Sequence, residues 1–335
     1  MTADDAVDFG ARRAPLQQSM NRILVIRGGA IGDFILTLPA LKALRDAYPH
    51  AHLAILGYKH IAALVENRFY AQAVRSIEYG SLSSFFAKNS ELPPELGTYF
   101  ASFDLIISYL YDPDGIFENN LRRCGVENFV RGPAKIEKGE HATRQLARPM
   151  QEIGLTVGDL VANVYPSIED RQVAQEFLRN LSRPIIAFHV GSGSEKKSWP
   201  LQNWIDIGNH LLGSGDFNGS LVIVSGEADE ERARDLRTVW RNERVRFAKN
   251  LPLPELAALF ERAIFLGHDS GISQLAAAAG ANCILLFGPS DPEVWAPKGK
   301  NVCVIRSKSS AIEDIDTSAV RKSLTELCQR DYGQE

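Results

Sequence analysis

The chain is poor in the features that would mark several common classes. It has only four cysteines, Cys124, Cys283, Cys303 and Cys328, in 335 residues, with no CxxC pair and no Cys/His spacing suited to a metal. That excludes a disulfide framework and a zinc-finger reading, and it fits a reducing, cytoplasmic setting with free thiols. Neither sign of charge is in excess: 37 Lys and Arg face 41 Asp and Glu, for a net charge of −4. The global footprint of a nucleic-acid binder is therefore missing, and no nucleic-acid partner is expected. No apolar run reaches membrane-spanning length. The first 20 residues are polar, lack the apolar core of a signal peptide, and read as a flexible tail. Two nucleotide-binding patterns are absent as well. The glycine-rich stretch GGAIGD, from Gly28 to Asp33, fits neither GxGxxG nor the P-loop in any register. That argues against a dinucleotide-dependent dehydrogenase and against a P-loop NTPase.

What is present is a soluble-domain composition, 45% apolar and 23% charged, on a chain long enough for two domains. Apolar runs of strand length alternate with helix-period segments. Strands are predicted at 22–27, 52–56, 76–79 and 104–110, with helices at 34–48, 60–67 and 141–153 and a less regular stretch reaching about 139. A second series has strands at 185–189, 221–225, 245–248, 264–267, 283–287 and 302–305. Its helices are expected at 199–212, 229–240, 254–262 and 270–279, with a closing helix at 317–330. Such alternation implies α/β architecture with parallel sheets covered on both faces. The expected division is a tail at 1–20, a Rossmann-like domain at 21–165, a linker at 166–184 with a helical piece at 174–181, a second Rossmann-like domain at 185–316, and a closing helix at 317–335.

Two strand-to-helix junctions stand out. One is RILVIRGGAIGDFILTLPALKAL, from Arg22 to Leu44. The other is AIFLGHDSGISQLAAAAG, from Ala263 to Gly280. Each places small residues and an acid where a buried strand turns into a helix, the place where open α/β sheets bind ligands. Free N–H groups at a helix start suit an anion, and glycine lets it approach. Two such junctions in separate halves imply two domains facing across a cleft.

Four segments, GGAIGDFILTLPALKALRDAYP, HVGSGSEKKSWP, LFERAIFLGHDSGISQLAAAAG and FGPSDPEVWAP, follow one another along most of the chain. In that order they resemble the ADP-heptose:lipopolysaccharide heptosyltransferase family, glycosyltransferase family nine. The resemblance implies a GT-B fold, with the acceptor mainly on the first domain and the nucleotide-sugar on the second. It also implies inversion at the anomeric carbon without a metal, and no cofactor beyond the donor, ADP-heptose. The anionic acceptor would be a lipopolysaccharide inner core, reached by peripheral contact with the cytoplasmic face of the inner membrane.

The same resemblance gives residues roles that their chemistry supports. Asp33 stands where the family places its base, although an aspartate that only caps a helix would read the same. Lys197, in the KSWP run after Gly191, Ser192 and Gly193, themselves taken as donor-binding, is suited to hold the negative charge that builds on a leaving diphosphate. A solvated surface lysine is the structural alternative, and Trp199 beside it reads as a packing residue. Asp269, Ser270, Gly271 and Ile272 open a helix. Its N–H groups suit the diphosphate and Asp269 the sugar hydroxyls, with a bare capping turn as the alternative. Gln274, taken as donor-binding, stands where many relatives carry histidine; it can still hydrogen-bond but cannot carry charge. Glu230, in the acidic run after the strand 221–225, is a candidate for the ribose. Gly28, Gly29 and Gly32 are expected to clear space for the acceptor or the diphosphate. From Arg122 to Arg148 seven basic residues face three acidic ones, and Arg122 and Arg123 are taken as acceptor-side, with a solvated charged surface as the alternative. Asp112-Pro113-Asp114 has a DxD spacing but reads as turn chemistry, not a metal site. Rival readings are a relative with another nucleotide-sugar donor or a protein or other glycan acceptor, a hydrolase or epimerase on this fold, and a non-enzymatic nucleotide-sugar binding module.

Overall fold

The computed structural model describes residues 20–332 except 216, with the side chains of 331 and 332 left aside. The expected tail and the end of the closing helix lie outside the described residues.

The first sheet has five parallel strands: β1 (Arg22–Arg27), β2 (His52–Gly57), β3 (Ala73–Ser76), β4 (Leu105–Ser108) and β5 (Phe129–Arg131), in the order β3-β2-β1-β4-β5. The second has six: β6 (Ile185–His189), β7 (Ser220–Ser225), β8 (Val245–Lys249), β9 (Ile264–His268), β10 (Asn282–Phe287) and β11 (Val302–Arg306), in the order β11-β10-β9-β6-β7-β8. Both orders reverse direction beside their first strand, between β1 and β4 and between β6 and β9. Those are the switch points where a crevice opens outside the carboxyl ends of the strands. The central strands are apolar because both faces are covered; Ile23, Leu24, Val25 and Ile26 have almost no exposure. The architecture is GT-B: two Rossmann-like domains with parallel sheets.

The helix Ile31–Ala47 explains how the domains meet. It is apolar around most of its circumference, with Phe34, Ile35, Leu36, Leu38, Ala40 and Leu41 all buried. Such a helix needs cover on more than one side. One side lies on the first sheet, and another packs against the helix Gly271–Ala278 of the second domain. One core cluster therefore runs continuously through both domains. Separate clusters fill the outer faces, one around Phe85, Phe100 and Phe117, the other around Trp199, Trp204 and Trp240. The C-terminal helix Thr317–Tyr332 inserts Val320 and Leu324 into the latter. Among the described residues no helix is long and apolar enough to cross a membrane.

Several elements depart from the sequence reading. The helix expected at 141–153 is two short ones, Ala142–Leu146 and Arg148–Glu152, because Pro149 interrupts it. The linker helix spans Ile168–Phe177, earlier than expected: Ser167 and Asp170 form a reciprocal capping box that sets its start. The third strand is Ala73–Ser76, and Gly80 then opens a short 3-10 stretch, Gly80–Phe86. The irregular stretch before 139 contains the helix Ile116–Arg123 and the edge strand β5.

Candidate active site between the two domains

On the first domain, β1 ends at Arg27 and the chain turns through Gly28, Gly29 and Ala30 into the helix Ile31–Ala47. Ala30 has no side-chain oxygen with which to cap the helix. Asp33 does so from inside the first turn: its Oδ2 accepts from the Ala30 N–H at 3.0 Å. Gly29 adopts φ +93°, and a Cβ there would sit 2.7 Å from Asp33 Oδ2. The Asp33 side chain remains 37% exposed, and its Oδ1 lies 3.7 Å from Arg27. Arg27 itself is buried. It donates to Thr37 Oγ1 at 3.1 Å and to the Asp33 carbonyl at 3.1 Å, and lies over the Tyr109 ring. Burial pulls its pKa below the usual arginine value, with the charges of Asp33 and Tyr109 opposing. The sequence reading missed Arg27; its one signal is a charged residue closing an otherwise apolar strand.

Gly32 faces the second domain. A Cβ on it would lie 3.4 Å from Gly271 Cα, and one on Gly271 would lie 2.8 Å from both Gly32 N and Ile31 Cβ. The starts of the helices Ile31–Ala47 and Gly271–Ala278 thus meet backbone to backbone. Two sets of free N–H groups, one from each domain, border one crevice.

On the second domain, loop 190–199 follows β6. Lys197 Nζ bonds Asp269 Oδ2 at 2.7 Å, so the lysine and the acid, assigned separate roles from sequence, are a pair. Ser192 Oγ is held within the loop, donating to the Ser194 carbonyl. Gly193 has open space where a side chain would stand. Gly191 instead makes room for a carboxylate: a Cβ there would overlap Asp229 Oδ1 at 1.6 Å. Asp229 Oδ2 meets His189 Nε2 at 3.1 Å, and His189 Nδ1 faces Ser270 Oγ at 3.4 Å. Burial pushes the Asp229 carboxyl up, but the bond and charge of His189 and the Gly226 N–H outweigh it, and the net shift is downward. Ser270 caps the helix Gly271–Ala278, accepting from the Ser273 N–H at 3.2 Å.

A cavity of about 790 Å³ opens beside the two helix starts. Ala30 and Ile31 border it from the first domain; His189, Ser192, Gly193, Asp229, Ser270, Gly271 and Ile272 border it from the second. Beyond Gly226 and Glu227 its wall turns apolar, with Val224, Ala248, Leu251, Leu253 and Leu256. The result is graded: an apolar slot, an exposed acid at Glu227, then the helix starts, whose N–H groups suit an anion.

The structure does not bring every predicted residue here. Glu230 turns outward to pair with Lys249, and Asp229, one position earlier, faces the cavity. Arg122 and Arg123 lie at the far end of the helix Ile116–Arg123, which runs back toward the amino ends of the strands. Arg122 pairs with Glu118 and donates to the Glu127 carbonyl, and Arg123 bonds Asn120. They are not on the cleft edge. Gln274 is buried and donates to the Trp295 carbonyl at 2.6 Å. Gly28 packs toward Leu110. Asp112 accepts from the Phe117 and Glu118 N–H groups, as turn chemistry requires. Among the described residues no group of three or more His, Cys, Asp or Glu is placed to hold a metal. Trp199 is fully buried, as a packing residue should be.

Paired Rossmann-like domains, with an acid at one helix start and a lysine and acid at the other, define a GT-B glycosyltransferase. The chain belongs to glycosyltransferase family 9 (heptosyltransferase), whose sequence profile matches residues 128–324. It is 27% identical over 328 residues to lipopolysaccharide heptosyltransferase 1 of Escherichia coli K12, covering 91% of this chain and 100% of that one. Similar solved structures include a family 9 glycosyl transferase from Veillonella parvula (TM-score 0.77, 19% identity, 94% of this chain and 99% of that one). Another is the E. coli ADP-heptose lps heptosyltransferase II (TM-score 0.76, 17% identity, 92% and 99%). A third, an E. coli heptosyltransferase with ADP, has TM-score 0.67 at 20% identity and covers 91% and 99%.

Proposed function

We propose that this chain transfers heptose from ADP-heptose to a lipopolysaccharide inner-core acceptor in one inverting, metal-independent displacement. The observation that carries the reading is the contact between two helix starts, one from each domain: Gly32, next to Asp33, meets Gly271, two residues after Asp269, the partner of Lys197. Asp33 takes the proton of the acceptor hydroxyl as that oxygen attacks the anomeric carbon. The bond from that carbon to the diphosphate oxygen breaks, and ADP leaves with the electron pair. Lys197 and the N–H groups at Gly271 and Ile272 hold the charge that builds there. Asp269 orients the sugar hydroxyls and keeps Lys197 in place. Ser192, Gly193 and Ser270 border the diphosphate, and the apolar slot takes the adenine, with Glu227 at the ribose.

The names of the relatives support this donor and acceptor, being lipopolysaccharide heptosyltransferases and an ADP-heptose enzyme. The anionic glycolipid would be met at the cytoplasmic face of the inner membrane by peripheral contact, with no nucleic-acid partner and no cofactor. The test is transfer from ADP-heptose to heptose-free lipopolysaccharide, followed by mass spectrometry of the glycolipid, with Asp33→Ala as control. A mass gain of one heptose that Asp33→Ala abolishes is expected. Transfer from a UDP-, GDP- or dTDP-sugar but not from ADP-heptose would overturn the donor.

A further inference from the structure

We propose that His268 is a positioning residue for Lys197, gripping loop 190–199 by the main chain at both ends. The inference rests on the assignment of Lys197 to the leaving diphosphate. His268 closes β9 with no exposure to solvent. Its Nε2 accepts from the Trp199 N–H at 2.9 Å. With that nitrogen accepting, the ring proton sits on Nδ1 and is donated to the Gly191 carbonyl at 3.0 Å. One imidazole thus ties together two points eight positions apart on either side of Lys197, and it needs both a donor and an acceptor to do so. The next residue, Asp269, holds the lysine's ammonium. Two successive residues at one strand end therefore fix the loop's backbone and its charged tip.

Other features agree. Arg232 reaches the same two ends from the helix Glu230–Val239, donating to the carbonyls of Val190 and Trp199. Between the grips, apart from the Lys197–Asp269 bond, the loop holds itself by short-range bonds, from Lys197 N to the Ser194 carbonyl and among Ser192, Ser194 and Ser198. Burial holds the ring down to about 3, so it stays neutral and keeps its accepting nitrogen. The ring also meets Trp204 edge-on, a contact that phenylalanine would retain. A lysine that stabilises a departing anion gains most when it is held in place before the charge appears.

The test compares wild type, Lys197→Ala, His268→Phe, the double variant and His268→Asn, using ADP-heptose and heptose-free lipopolysaccharide. Lys197→Ala should lose about 10²–10³ in kcat. His268→Phe should lose about 10–10², with the donor KM changed by less than about threefold. If His268 acts through Lys197, the double variant should match Lys197→Ala. His268→Asn, which keeps a donor and an acceptor, should recover part of the loss, and it carries the test if His268→Phe does not fold. Wild-type kcat in His268→Phe, or losses that multiply in the double variant, would overturn the proposal while leaving Lys197 in its role. Wild-type kcat in Lys197→Ala would overturn the reading of Lys197 and the proposal with it.

Discussion

Lys197 Nζ and Asp269 Oδ2 are 2.7 Å apart, joining the tip of one loop to the strand end beneath it. A lysine in a loop normally samples many rotamers; this one is held by a carboxylate that is itself largely buried. The two residues should behave as one unit. Asp269→Ala is expected to lower kcat by more than about tenfold even with Lys197 intact, because the ammonium is released. In a double-mutant cycle with Lys197→Ala the losses should fall well short of multiplying. Steady-state kinetics of ADP release checks both.

Asp33 caps the first helix, and under the proposed mechanism it is also the base; two substitutions separate these tasks. Asn at 33 retains an oxygen that can accept from the Ala30 N–H. Asp33→Asn should therefore keep the melting temperature of wild type while losing about 10²–10⁴ in kcat. Asp33→Ala should lose the same activity and in addition about 1 kcal/mol of stability, as the cap disappears. Equal activity of Asp33→Asn and wild type would reduce the residue to a cap.

The meeting of Gly32 and Gly271 predicts a strong effect from a single methyl group. In Gly271→Ala the new Cβ would meet the Gly32 nitrogen and Ile31 Cβ at 2.8 Å, neither of which can swing aside. The domains must part, at a cost of about 1–3 kcal/mol. The radius of gyration from solution scattering should rise, and the melting-temperature gain on adding ADP should shrink. Gly193→Ala, with open space around it, should leave the radius unchanged.

His268 also predicts a pH dependence. Its folded pKa is depressed to about 3 by burial, whereas the unfolded value is about 6.5. Between those values the unfolded chain binds the proton and the folded one does not, so stability rises with pH. The contribution is fully present above about pH 6.5 and is lost as pH falls toward 3, at up to about 1.4 kcal/mol per pH unit. His141, depressed by burial, acts in the same direction; its Nε2 bonds the Ala296 carbonyl of the other domain. Urea denaturation across this range should show a shallower slope in His268→Phe than in wild type.

Much of this arrangement is legible in the sequence, since buried parallel strands read as apolar runs and Asp33 and Asp269 follow two of them. The rest needs facts that single-chain reading lacks. Asp229 and Glu230 differ by one position at a helix start, and only the turn geometry decides which faces the cavity. Arg122 and Arg123 were counted by composition, but the direction of their helix carries them away from the cleft. Gly32 acquires its role from a residue in the other domain. His268 ends a strand, where a packed core histidine looks the same. Gln274 is spent on the Trp295 carbonyl, a partner no local pattern announces.

The loop that carries Lys197 is gripped through backbone atoms: the carbonyls of Val190, Gly191 and Trp199 and the Trp199 amide. Main-chain atoms are common to nearly every amino acid, so the grip asks little of the side chains between its ends. No side chain of Ser194, Glu195 or Lys196 makes any of these four bonds. For an engineer this divides the loop into a frame fixed by main-chain bonds and three positions whose substitution leaves those bonds in place.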